Sequence, residues 1–195
     1  MLKPVVLIGA SAGGPDTIVK ILMSIRSPLN FPIVIALHNM ASQVENFVKL
    51  LKRSSTHEII IINGREIIKN AVFLAKGGKD VVFISKEVIS AVDPESYVVP
   101  SIDRLFLSVK NMEDLDFYIF LLGGLGSDGV KGLMELEDQE NVHIYIQDDA
   151  KFLYIPMNAM RNLKRYRKLS LFEIIRILNH LNSIGGKKHE ENFSC

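Results

Sequence analysis

Three residues of different chemistry follow strongly apolar segments of the sequence. Ser11, His38 and Asp128 each come directly or a few residues after a run of β-branched, aliphatic or aromatic residues, which is typical of a buried strand. In open α/β sheets, ligands bind at the carboxyl ends of the strands. A hydroxyl, an imidazole and a carboxylate at one edge are the parts of a nucleophile, its base and a group that orients the base. The sequence therefore predicts nucleophilic catalysis at this edge.

Each of the three residues also has a purely structural interpretation. The segment from Gly9 to Gly13 fits G-x-S-x-G, which holds a serine on a tight strand-to-helix turn, but Ser11 would equally suit a helix N-cap. His38 would serve as a loop histidine bonded to backbone, and Asp128 as the cap of the next helix. The chain order Ser, His, Asp differs from the Ser, Asp, His order of α/β-hydrolases, so that fold is not implied.

The segment Gly124–Gly129 supports a competing interpretation. It fits G-x-G-x-x-G between a predicted strand and a predicted helix, and Asp148 follows about 20 residues later, as in a dinucleotide-binding fingerprint. Against this interpretation, Asp128 would place a carboxylate beside a pyrophosphate. Motif spacing alone leaves both interpretations open.

Strands and helices alternate in the first third of the chain. Strands are predicted at Val5–Ile8, Ile33–Leu37 and Ile59–Ile62. Pro15 suits the first turn of a helix after the first strand, and Ser42 with Glu45 predicts a capping box for a second helix. This alternation is typical of a parallel sheet covered on both faces.

The middle of the chain breaks this pattern. Short apolar runs at 71–75, 81–84 and 88–91 are separated by Gly77-Gly78 and Ser85-Lys86, which predicts a small antiparallel insertion. The alternation then resumes with a helix capped by Ser101, strands at 117–122 and 142–146, a short helix after Pro156, and a last helix capped by Ser170 with Glu173. We therefore predict a doubly wound α/β fold with a mainly parallel sheet, helices on both faces and a small antiparallel hairpin insertion.

Composition limits the function classes. The 195 residues are 48% hydrophobic with a net charge of +1, so we expect one domain, 1–184, followed by a flexible tail, 185–195. The Lys- and Arg-rich run 161–168 is interpreted as a helix end and loop, and no basic cluster is interleaved with aromatic residues, so nucleic acid is not an expected partner. No apolar run is long enough to span a bilayer, and no signal-peptide pattern is present, which predicts a cytoplasmic protein without membrane insertion.

The remaining histidines do not predict a metal site. His57, His143, His180 and His189 lack the spacing of a ligand set, so we expect no metal and no cofactor. The single cysteine, Cys195, is the last residue, which excludes an intrachain disulfide.

From about Val5 to Leu181 the chain resembles the catalytic domain of the chemotaxis receptor methylesterases, the CheB-type protein-glutamate methylesterases. The similarity rests on ordered segments that match the family's G-A-S-T-G-G-P, Q-H-M-P, P-S-V-D-x-L-F, T-G-M-G-x-D-G and A-Q-D-E…M-P patterns. These segments are Gly9–Pro15, His38, Pro100–Phe106, Gly124–Gly129, and Gln147-Asp148 with Pro156-Met157. The chain departs from the patterns at Ala12, Leu37, Asn39-Met40, Gly123 and Leu125.

The resemblance implies a serine hydrolase that removes methyl esters from glutamate side chains of chemoreceptor helices, and that also deamidates glutamine. It implies that Ser11 is the nucleophile, His38 its base and Asp128 the group that orients the base. The backbone N–H groups of Ala12, Leu125 and Gly126 would then face the developing oxyanion. The expected partners are the cytoplasmic helices of methyl-accepting chemoreceptors.

An alternative from another class is a non-catalytic domain of the same fold that recognises receptor helices or a nucleotide. The altered residues around Ser11 motivate it. Members of the family also usually carry an N-terminal receiver domain, whereas four residues precede the first predicted strand here. We therefore expect the activity of this 195-residue chain not to depend on phosphodonors.

Overall fold

The computed structural model describes residues 2–38 and 41–191, and the backbone alone for Ala41 and for 185–191. The strands are β1 (Lys3–Ala10), β2 (Ile33–Leu37), β3 (Ile59–Ile62), β4 (Arg65–Ile67), β5 (Val72–Ala75), β6 (Asp80–Phe83), β7 (Val88–Val92), β8 (Leu115–Leu121), β9 (Val142–Gln147) and β10 (Arg167–Leu169). The helices are α1 (Gly14–Ser24), α2 (Val44–Ser54), α3 (Ile102–Leu107), α4 (Val130–Leu136), α5 (Tyr154–Asn162) and α6 (Leu171–Glu191), with a 3-10 turn at Ala41–Gln43.

Seven strands form a parallel sheet in the order β10-β9-β8-β1-β2-β5-β3. The chain leaves β1 toward β2 on one side and returns to β8 on the other, so the strand order reverses around β1. The carboxyl end of a strand at such a reversal is where open α/β sheets bind ligands. The strand β1 ends immediately before Ser11.

Helices cover both faces because successive side chains of each strand point to opposite sides. In β1, Val5 and Leu7 pack into one core and Val6 and Ile8 into the other. The first core also holds α3, α4, α5 and a small antiparallel sheet, and the second holds α1, α2 and α6. The predicted doubly wound fold with an antiparallel insertion is thereby confirmed.

One strand of the predicted insertion belongs to the main sheet instead. The run 71–75 forms β5, which lies between β2 and β3 and pairs in parallel with both. All four of its residues are buried, as expected for a strand covered on both faces. The small sheet consists of β4, β7 and β6, and β4 was not predicted.

Smaller differences concern helix starts and the charged run. The predicted capping box of Ser42 and Glu45 is wrong, because the N-cap of α2 is Gln43, the last residue of the 3-10 turn, and it makes no side-chain cap. Ser101 caps α3 by accepting the Arg104 N–H at 3.2 Å. The capping box of Ser170 and Glu173 is also present. The run 161–168, expected to be a helix end and loop, also contributes to β10.

Helix α6 extends into the expected tail as far as Glu191, and 192–195 lie outside the described residues, so the division at 184 stays a prediction. Within 2–38 and 41–191, no helix combines the length and apolar character needed to cross a membrane.

Candidate active site

Ser11 and His38 occupy equivalent places at the ends of neighbouring strands. The last residues of β1 and β2, Ala10 and Leu37, are partners in the sheet, and the His38 N–H donates to the Ala10 carbonyl at 3.0 Å. Ser11 then starts a tight turn in which its carbonyl accepts the Gly14 N–H at 2.8 Å. The N-cap of α1 is Gly13, with φ of 78° and no side-chain cap, so the interpretation of Ser11 as a helix cap is wrong.

His38 and Asp128 are in direct contact although 90 positions separate them in the chain. His38 Nε2 lies 2.7 Å from Asp128 Oδ2, and both side chains are largely buried, with 15% and 14% of their surface exposed. A carboxylate accepts hydrogen bonds, so the proton of the neutral ring lies on Nε2. The lone pair of the neutral imidazole is consequently on Nδ1.

Asp128 is also bonded to the start of α3. Its Oδ2 accepts the Ile102 N–H at 2.7 Å and its Oδ1 accepts the Asp103 N–H at 2.9 Å. Burial alone would raise the pKa of Asp128, but the hydrogen bonds from His38, Asp103 and Ile102 outweigh it and lower that pKa below its ordinary value. The side chain is therefore a carboxylate at neutral pH, able to stabilise a charged imidazole.

Ser11 is half-buried, and its hydroxyl is not bonded to any other described residue. Gly124 packs closely against the Ser11 side chain. A Cβ added at Gly124 would lie 2.5 Å from the Ser11 Cβ and 2.7 Å from Ile155 Cδ1, so only glycine permits this approach. The loop after β8 therefore packs directly against the serine.

The backbone N–H groups around Ser11 fall into two sets. Three of them already donate to carbonyl or amide oxygens: Ser11 to Gly123, Gly124 to Phe152, and Gly123 to Gln147. The N–H groups of the three residues expected to face an oxyanion donate to no acceptor within the part of the chain that the structure describes. These residues are Ala12, Leu125 and Gly126.

The start of α5 holds the loop 123–126 in place. The Gly124 N–H donates to the Phe152 carbonyl at 2.9 Å, and the Ile155 N–H donates back to the Gly124 carbonyl at 3.1 Å. Asn158 Nδ2 donates to the Gly126 carbonyl at 2.8 Å. These bonds leave the Leu125 side chain half-exposed between two fixed glycines.

The dinucleotide interpretation of Gly124–Gly129 does not fit this geometry. Binding of pyrophosphate requires free N–H groups at the start of the following helix. The Gly129 and Gly132 N–H groups instead donate to the Asp103 carboxylate at 3.0 and 2.6 Å. Gly124 instead allows close packing against Ser11, and Gly129 allows close packing against Ile102.

Sequence reasoning missed the residues that support the site from behind. Asp103 lies in the segment Pro100–Phe106, which was used for the resemblance but given no role. Gln147 has 2% of its surface exposed and accepts the Gly123 N–H at 3.2 Å. In the sequence, Asp103 is recognisable only as a carboxylate in the first turn of α3, and Gln147 only as an amide at the end of a buried strand. Neither feature identifies the residue that the side chain bonds.

Comparisons with known proteins agree on one family. The model of the CheB methylesterase family matches residues 6–178. A protein-glutamate methylesterase/protein-glutamine glutaminase of Bacillus subtilis is 29% identical over 72% of this chain and 41% of its own length. A protein of Syntrophus aciditrophicus, named as form 1 of the same enzyme, is 29% identical over 80% of this chain and 47% of its own length. The chain thus spans less than half the length of these relatives.

A solved structure has the same fold. The crystal structure of the Thermotoga maritima CheB methylesterase catalytic domain superposes with a TM-score of 0.80 at 18% identity, over 93% of this chain and all of that one. The family match over residues 6–178 runs from within β1 to the first turns of α6 and includes Ser11, His38 and Asp128. The chain belongs to the CheB methylesterase family.

Proposed function

We propose that this chain hydrolyses γ-glutamyl methyl esters on chemoreceptor helices and releases methanol. The activity named for the relatives supports this substrate class. The observation that carries the mechanism is the 2.7 Å contact between His38 and Asp128 at the end of the strand beside Ser11. The same site would deamidate glutamine, because ammonia replaces methanol as the leaving group in otherwise identical steps.

Ser11 is the proposed nucleophile and His38 Nδ1 the proposed base. Ser11 Oγ bonds to the ester carbonyl carbon while its proton passes to Nδ1, and Asp128 holds the ring through Nε2. The resulting imidazolium is stabilised by the Asp128 carboxylate. This step requires the Ser11 hydroxyl to rotate toward His38, which its lack of other described partners permits.

The negative charge formed on the carbonyl oxygen needs donors that are already in place. The N–H groups of Ala12, Leu125 and Gly126 are proposed for this role because they are not used by the fold in the described residues. The intermediate then expels methoxide, which takes the proton from Nδ1 and leaves as methanol. Water attacks the acyl-serine with His38 again as base, which releases the glutamate carboxylate and restores Ser11.

The receptor helix is proposed to lie along an apolar flank next to this site. The flank consists of three exposed residues on the loop after β8 and on α5, namely Leu125, Tyr154 and Met157. This proposal is supported by the bonds of Ile155 to Gly124 and of Asn158 to Gly126, which join α5 to the loop that packs against Ser11 through Gly124. Clustered exposed apolar side chains at a site are typical of a docking surface for a partner.

A serine-directed phosphonate probe tests the catalytic proposal against a non-catalytic domain of the same fold. We expect the probe to label Ser11, as identified by peptide mass spectrometry, and labelling to be lost in His38→Ala. Labelling of the exposed Ser85 or Ser96 at equal rate, or an unlabelled Ser11 in the folded protein, would contradict the proposed nucleophile.

A further inference from the structure

Two short helices behind the site begin side by side and cap each other. Asp128, two residues before α4, accepts the first N–H groups of α3, from Ile102 at 2.7 Å and Asp103 at 2.9 Å. Asp103, in the first turn of α3, accepts the N–H groups of Gly129 at 3.0 Å and Gly132 at 2.6 Å. Each carboxylate thus supplies the acceptor that the other helix start lacks.

This reciprocal cap leaves Asp128 little freedom. Gly129, directly after Asp128, is tied to Asp103 and has φ of 97°, which a residue with a side chain rarely adopts. A Cβ on Gly129 would also lie 2.7 Å from Ile102. The backbone on the C-terminal side of Asp128 is therefore held against α3 by the Asp103 carboxylate.

The start of α3 is itself fixed from the small antiparallel sheet. Asp80, fully buried at the start of β6, accepts the Ser101 N–H at 2.8 Å. Its second oxygen pairs with Arg104 Nη1 at 2.9 Å. Asp103 thus links α3, whose start is held by Asp80, to the loop that carries Asp128.

We propose that Asp103 is a positioning residue that holds Asp128 in register with His38. The inference rests on the proposed function for its kinetic consequence, but the contact itself between His38 and Asp128 is measurable without substrate. Asp103 makes no hydrogen bond to His38 among the described residues. Its backbone N–H donates directly to Asp128, and its carboxylate holds the Gly129 N–H next to Asp128 in the chain.

Among the described residues, no Lys or Arg side chain forms an ion pair with Asp103 or Asp128. Asp128 faces His38, the Ser101 hydroxyl and the α3 backbone, and Asp103 faces the α4 backbone and Asp128. Arg104 points instead to Asp80 and Glu95. Burial is the main cause that raises the pKa of Asp103, and the nearby Asp128 adds to it, against the N–H groups of Gly132 and Gly129.

The test compares Asp103→Asn, Asp103→Ala and Asp128→Asn, alone and combined. Asparagine keeps the Oδ1 acceptor for Gly129 and Gly132, so Asp103→Asn should retain most of kcat. Asp103→Ala removes the acceptor and should lower kcat by about 10²-fold with KM unchanged, the usual effect of a misplaced catalytic group. In the Asp128→Asn background, Asp103→Ala should lower kcat no further, because the residue that it positions has lost its role.

A second readout follows the ring contact directly. The wild type and Asp103→Asn should show a low-field proton resonance on Nε2 of ¹⁵N-labelled His38, and this signal should be lost in Asp103→Ala. Strictly additive losses in the double variant, a folded Asp103→Ala with full kcat, or an unchanged low-field signal in that variant would overturn the proposal. If the signal behaves as expected but no form of the protein releases methanol, the positioning role stands and the proposed function fails.

Discussion

His38 Nε2 and Asp128 Oδ2 lie 2.7 Å apart, and this contact joins the end of β2 to a loop that follows β8, on the opposite side of β1. The loop reaches across the end of β1, where Ser11 stands, and is held there by α3 and α5. His38 and this loop therefore lie on either side of the end of β1, and Asp128 holds the His38 ring in one orientation. The contact also puts the proton of the neutral His38 ring on Nε2, which leaves the lone pair on Nδ1.

Asp128→Asn should reduce activity strongly while the protein still folds. An amide cannot hold His38 in the required tautomer, and the corresponding change in a serine protease costs about 10⁴-fold in kcat. Because Asp128 also caps α3, one acceptor oxygen is lost and the free energy of unfolding should fall by about 1–3 kcal/mol. The measurements are kcat for ester hydrolysis and urea unfolding.

The control for this prediction is Asp138→Asn, an exposed carboxylate near the amino ends of β8 and β9, away from Asp128, which should leave both quantities unchanged. If Asp128→Asn lowers the unfolding free energy but keeps kcat at the wild-type value, Asp128 is a helix cap and not an orienting residue.

Gly124→Ala should damage the site because no space exists for the added methyl group. Its Cβ would lie 2.5 Å from the Ser11 Cβ, so the serine or the loop must shift. We expect kcat to fall by about 10²-fold and the free energy of unfolding to fall by about 1–3 kcal/mol.

Gly64→Ala is the matched control for the same measurements, since a Cβ there meets nothing within 4 Å. Equal effects of the two substitutions on kcat would mean that the close approach of Gly124 to Ser11 has no role in catalysis.

Tyr154→Ala should weaken the binding of receptor more than it slows the reaction. The side chain is 66% exposed on the apolar flank, and its burial against a receptor helix would contribute free energy to binding alone. We expect KM for methylated receptor to rise about tenfold, equivalent to about 1.4 kcal/mol, with kcat nearly unchanged.

Phe172→Ala provides the control for that prediction, because Phe172 is 68% exposed on α6, on the other face of the sheet. A KM that stays constant in Tyr154→Ala, or rises equally in Phe172→Ala, would exclude the flank as the docking surface.

His57 should make stability depend on pH below neutrality. The side chain is buried with neither ring nitrogen bonded to a described residue, and burial lowers its pKa against the opposing effect of the Ile25 and Leu22 backbone. A histidine with a lowered pKa in the folded state binds protons more readily when unfolded, so stability is present above pH of about 6.5 and is lost as pH falls below it.

Urea unfolding between pH 7.5 and 5 checks this expectation. His57→Leu should flatten the decline, whereas His180→Gln, at an exposed position of α6, should not change it. An identical decline in wild type and His57→Leu would assign the pH dependence to other groups.

The sequence was sufficient for the fold class and for the placement of Ser11 and His38, because buried parallel strands appear as continuous apolar runs whose ends are visible. It was insufficient for β5, whose place between β2 and β3 depends on a non-local crossover. The glycines that follow β5 suggested a hairpin, and nothing in the run 71–75 distinguishes a central strand from an insertion.

Edges and supporting contacts were harder to predict for a physical reason. The edge strand β10 pairs on one side only, so Arg167 and Lys168 stay exposed and hide the strand pattern. Asp103 is indistinguishable in sequence from any carboxylate in a first helical turn, since its partners Gly129 and Gly132 come from another helix. Residues that act across elements need the assembled structure to be identified.

Methanol release from methylated chemoreceptor membranes, compared between wild type and Ser11→Ala, tests the central claim most directly. Ser11→Ala should fold normally and lose at least about 10³-fold in rate, and adding His38→Ala should lower it little further, because the two residues act as a unit. Methanol release by Ser11→Ala at the wild-type rate would contradict the account.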